Sequence, residues 1–167
     1  MNKLKTKNLT LSALLVALTL VTLALNTLLP ISTLSILTIA SAIIPIAIIR
    51  ASTKNAFLVY IASSFLGFLI LPKDIIVLYI LFFGVYGIIK YYIEKLNKLT
   101  FEIILKLVFS SIILAIYYLL FSSFVDISSI NLPLYLIFIV ANISFLIYDY
   151  ALTLIISFYI NKIHSRI

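Results

Sequence analysis

The sequence predicts an all-α, polytopic membrane protein with six transmembrane helices. The chain of 167 residues is 65% hydrophobic, and its mean hydropathy is +1.30, a balance that water-soluble domains do not reach. Apolar runs close to the ~20 residues that a bilayer requires follow one another with short connections. The charged residues, 10% of the total, collect at the ends of those runs. One six-helix domain over residues 1–167 is expected, with no room for a separate soluble part.

The first span is expected from Leu9 to Leu29, after a basic start with Lys3, Lys5 and Lys7. Its apolar core is longer than the ~7–15 residues of a signal peptide, so it reads as a retained helix. Ala13, Ala17 and Ala24 fall on one helical face, and small residues let helices approach closely. Pro30 to Ser35 is a polar turn. The second span, Ile36 to Ile49 with a start as early as Ile31, contains Pro45, which is expected to kink it or end its regularity. Arg50 to Asn55 is a polar connection. The third span runs from Ala56 to Leu71, with Ser63 and Gly67 as a second small pair, and Pro72, Lys73 and Asp74 form a tight turn.

The fourth span is Ile75 to Ile93, where Tyr79, Tyr86 and Lys90 share a face. Glu94, Lys95, Asn97 and Lys98 make the most charged connection. The fifth span, Thr100 to Phe124, carries Glu102, Lys106, Ser110, Tyr117 and Phe121 along one face. Val125 to Pro133 is the longest loop and has no Lys or Arg. The sixth span, Leu134 to Ile160, is followed by a tail with Lys162, His164 and Arg166.

With a cytoplasmic N-terminus, eleven of the twelve Lys and Arg residues fall on the inner side and Lys73 alone on the outer. Cytoplasmic loops carry the excess of cations, so both termini are expected in the cytoplasm. The net charge of +7 is dispersed over span ends and forms no patch for nucleic acid. Richness in Ile, Lys, Asn and Tyr points to an AT-biased bacterial genome, hence to a multi-pass protein of the bacterial plasma membrane.

The chain has no cysteine, which excludes disulfides and thiolate metal sites. It has no His-Glu-x-x-His, no Ser-His-Asp set, no glycine-rich phosphate loop and no carboxylate cluster. No catalytic residue, metal or cofactor is expected, and the chain is not expected to be an enzyme.

The sixth span is the most informative. Tyr135, Asn142, Asp149 and Thr153 fall on one face of it. Hydrocarbon offers such a stripe no hydrogen-bond partner, so it must face protein or water. Asp149 lies ~16 Å above the inner end of its helix and Lys106 ~9 Å above its own, at ~1.5 Å per residue. A lysine stem spans that difference, so Lys106 and Asp149 are expected to pair. Lys90 is a second partner by depth but is expected to snorkel, and Glu102 is placed to pair with Lys90 or Lys106. In the outer half, Tyr79, Tyr117, Phe121, Tyr135 and Asn142 supply aromatic walls with a few hydrogen-bonding groups, as a pocket for a small, partly apolar molecule needs. An aromatic belt at the membrane surface is the alternative for such tyrosines. Helix-to-helix glue is the alternative for the polar stripe.

The first span reads Leu11-Ser12-Ala13-Leu14-Leu15-Val16-Ala17-Leu18 behind a short basic N-terminus. This resembles the start of the S components of energy-coupling factor (ECF) transporters. These are six-helix membrane proteins of this size with both ends inside. The resemblance implies that Ala13 and Ala17 dock onto a transmembrane T component, and through it onto ATPase subunits. It also implies a vitamin or other micronutrient bound in the outer half, near the last three helices. A non-transporting integral membrane partner or assembly factor needs the helix faces alone and stays open beside it.

Overall fold

The computed structural model describes residues 3–28, 33–121 and 133–162. Every element there is helical, and no strand occurs among the described residues. The helices are α1 (Lys3–Leu28), α2 (Thr33–Arg50), α3 (Thr53–Ile70), α4 (Lys73–Leu78), α5 (Gly84–Glu94), α6 (Leu99–Phe121) and α7 (Leu134–Lys162). A π-helical turn at Tyr79–Phe83 joins α4 to α5 without a break. α4, the π turn and α5 form one span, so six spans among the described residues are long and apolar enough to cross a membrane. The chain is an all-α, multi-pass membrane protein.

Several boundaries differ from those expected. α2 begins at Thr33, within the range expected for its start, and runs past Pro45 to Arg50 instead of ending at Ile49. The connection expected over Arg50 to Asn55 is shorter, because Ser52 caps α3 by accepting from the Asn55 N–H at 3.3 Å. Lys73 and Asp74 belong to the first turn of α4, not to the preceding turn. α6 extends to Phe121. Phe124, the loop residues Asp126 and Asn131, and His164 and Arg166 lie outside the described residues. At the turn into α6, Asn97 takes a left-handed conformation (φ 52°), which asparagine tolerates better than most residues.

Several hydroxyls on the apolar helices are satisfied within their own helix. Thr19 and Thr22 each donate at 2.8 Å to the carbonyl four residues back, and Ser12 does so at 2.9 Å. Back-bonding of this kind lets Ser and Thr sit in a membrane span without an exposed donor.

By their contacts the residues fall into two compact units, Met1–Tyr91 with Ala151–Ile167, and Tyr92–Tyr150. Both boundaries fall inside helices. In the first unit α1, α2 and α3 pack against one another around Leu15, Ile43, Ile44, Ala47, Ala56 and Val59. Alanines let these backbones approach, and in a bilayer close packing takes the place of the hydrophobic drive. Gly87 shows how tight the fit is. A Cβ there would lie 3.0 Å from both Ile44 Cβ and Pro45 Cδ, and 3.1 Å from the Ser41 carbonyl oxygen. Pro45 has no N–H for that carbonyl, so the helix runs on past Pro45 with one hydrogen bond missing.

Candidate functional site

The second unit holds the charged centre. Lys106 rises from α6 and places Nζ 2.8 Å from Asp149 Oδ2 on α7 and 3.0 Å from Glu94 Oε1 at the end of α5. The Lys106 and Asp149 side chains are 9% and 13% exposed, and Glu94 is 37% exposed. The lysine therefore answers an interior carboxylate and a more solvated one together. Glu94 takes the place expected for Glu102. Both lie within reach in sequence, but Glu94 ends the preceding helix and so approaches Lys106 from outside α6.

Phe109 and Phe145, on α6 and α7, have ring centroids 6.4 Å apart, and Phe145 meets Tyr148 at 6.2 Å. Further along the same two helices, Leu114, Ala115, Tyr118, Ile137, Phe138 and Ala141 line an apolar cavity of about 250 Å³. The small side chains of Ala115 and Ala141 leave the space.

Of the expected ligand residues, Tyr79, Tyr117, Tyr135 and Asn142 do not line that cavity. Tyr117 and Tyr135 are 38% and 64% exposed. Asn142 Nδ2 donates to the Phe138 carbonyl of its own helix at 2.9 Å, and its buried Oδ1 has no partner among the described residues. Phe121 ends α6, and its side chain lies outside the described residues.

Tyr79 belongs to the first unit and is fully buried. Its hydroxyl shares a hydrogen bond with Ser63 Oγ at 3.1 Å. The helix around it is π-helical: the Gly84 N–H bonds to the Tyr79 carbonyl, five residues back. Return from π to α spacing leaves a carbonyl without its helical donor. The Tyr60 hydroxyl, reaching from α3, donates to the Ile80 carbonyl at 3.0 Å. A Cβ on Gly84 would lie 2.8 Å from the Tyr60 ring, so the glycine is what lets that ring in. Sequence periodicity carries no signal for this turn.

Lys90 corrects another expectation. It does not snorkel to the rim: it is 1% exposed, and Nζ donates to Thr153 Oγ1 at 2.7 Å. A hydroxyl at the right depth holds the ammonium inside. Also in the first unit, Arg50 Nε donates to the Tyr159 hydroxyl, and the guanidinium lies 5.6 Å from the centre of that ring.

On α1 the two faces differ. Ser12, Leu15, Thr19, Thr22, Leu23 and Asn26 are buried, whereas Ala13 and Ala17 are exposed beside Leu14, Leu18 and Val21. The small-residue face is not consumed by packing within the unit. No group of three or more His, Cys, Asp or Glu side chains able to hold a metal occurs among the described residues.

No family model matches the chain, and no curated protein or solved structure shows significant similarity to it.

Proposed function

We propose that the chain is the membrane-embedded substrate-binding subunit of a micronutrient uptake transporter of the ECF type, in a bacterial plasma membrane. In this reading it captures a small molecule in its outer half and docks through α1 onto a T component, which links it to ATPase subunits. The observation that carries the reading is the exposure of Ala13 and Ala17 on α1 while the opposite face of the helix is packed. A smooth alanine surface flanked by Leu14 and Leu18 suits close approach of another helix. The apolar cavity of α6 and α7 supports a partly apolar ligand, with Tyr118 and Phe138 as its aromatic walls.

The test is co-expression with the T component and ATPases of the same genome. The wild-type chain is expected to co-purify with them. Ala13→Leu with Ala17→Leu is expected to insert and melt normally but to be lost from the complex. Native mass spectrometry of the wild-type chain is expected to show a bound small molecule.

A second reading, a non-transporting membrane partner or assembly factor, uses the same α1 face and needs no ligand. The burial of Tyr79 against Ser63 and the exposure of Tyr117 and Tyr135 favour it. A complex that forms while no small molecule is retained decides for this second reading.

A further inference from the structure

A cavity of the first unit lies between the start of α1 and the end of α2. It has a volume of about 640 Å³ and is lined by Thr6, Lys7, Asn8, Thr10, Leu11, Leu14 and Arg50. The first span begins at Thr6 and the second ends at Arg50, so the cavity sits where hydrocarbon gives way to headgroups. Its lining is graded. Lys7 and Arg50 supply positive charge and Thr6, Asn8 and Thr10 supply polar groups, while Leu11 and Leu14 continue into the apolar span. Leu14 is 61% exposed. Among the described residues the lining includes no carboxylate to neutralise the two cations.

Arg50 is held in place. Its Nε is committed to the Tyr159 hydroxyl and its plane rests near that ring. Among the described residues its terminal N–H groups have no such commitment. A guanidinium fixed at one nitrogen and open at the others is arranged to bind phosphate oxygens in a fork.

We propose that this cavity binds a phosphate group, with Arg50 and Lys7 as its ligands. An anionic phospholipid is the source the lining favours, its acyl chain running along Leu11 and Leu14. Juxtamembrane cations attract anionic headgroups, and here two of them converge on a cavity with an apolar wall below. The inference goes beyond the transporter reading and does not depend on it.

The test uses the full chain, purified and stripped of lipid in detergent. It is incubated with dioleoyl phosphatidylglycerol, dioleoyl phosphatidylcholine or sodium phosphate. Retained adducts are counted by native mass spectrometry, with melting temperature as a second readout. Phosphatidylglycerol is expected to be retained over phosphatidylcholine. Lys7→Gln is expected to reduce that preference about fivefold, the effect of one cation near an anionic headgroup. Lys7 is exposed, so this variant does not put the fold at risk. Lys54→Gln removes an exposed cation outside the cavity and leaves the preference intact. A melting shift from sodium phosphate as large as that from phosphatidylglycerol assigns the site to free phosphate, and no such shift assigns it to the lipid. Equal retention of the two lipids overturns the proposal. So does a Lys7→Gln variant that behaves as wild type, or a loss in Lys54→Gln as large as in Lys7→Gln.

Discussion

Lys106 Nζ lies 2.8 Å from Asp149 Oδ2, inside spans that are otherwise apolar. Neither group tolerates hydrocarbon alone, and each is the other's interior partner. Removing Lys106 takes from the interior carboxylate the cation at 2.8 Å, whereas Lys106 without Asp149 keeps Glu94 at 3.0 Å. Lys106→Met is expected to cost about 3–5 kcal/mol, and Asp149→Asn less, because Glu94 still faces the ammonium. The double variant is expected to recover part of the sum, because it removes both charges. Thermal or denaturant unfolding in detergent checks the cycle, and purely additive losses would contradict the pairing. Glu94→Gln is expected to cost about 1 kcal/mol or less, since this carboxylate is partly solvated and its attraction is screened.

The Tyr60 hydroxyl is the donor for the Ile80 carbonyl beside the π turn. Tyr60→Phe keeps the ring and removes the donor. A buried carbonyl left without a partner costs about 1–3 kcal/mol. The loss is expected in unfolding measurements, with faster amide exchange localised to residues 79–84. Uniform exchange along the whole span would show that Tyr60 does not hold the turn.

Gly87 packs against Ile44, Pro45 and the Ser41 carbonyl. Gly87→Val places branched carbon where a Cβ already lies at 3.0 Å from its neighbours. Overpacking of this kind costs about 1–3 kcal/mol, and a melting temperature below wild type checks it. Gly87→Ala is expected to lose less, by the size of the side chain.

The charge distribution predicts the orientation. Reporter fusions after Lys98 and after Ile167 are expected to report cytoplasm, and a fusion near Ser129 the outside. An external C-terminus would be incompatible with six spans and an inner N-terminus.

Helix number and class were legible in the sequence because the bilayer imposes them. A backbone in hydrocarbon must bond to itself, so each apolar run of sufficient length becomes a helix. The Lys106–Asp149 contact was legible for a related reason. A lone carboxylate in an apolar span needs a cation, and Lys106 matched it in depth. Tertiary structure alone decided which other groups meet. Helical periodicity assigns residues to faces but does not name the neighbour, so Glu94 on Lys106 and Thr153 on Lys90 appeared only once the helices were packed. The same holds for Ala13 and Ala17, whose exposure depends on which side of α1 is covered by α2 and α3. The π turn at Tyr79–Phe83 has no local code. It goes with the entry of the Tyr60 ring over Gly84, a contact between residues 24 positions apart. Composition and spacing determined that the described residues form six spans long and apolar enough to cross a membrane, and packing determined which of their polar groups are satisfied inside and which face of α1 stays exposed.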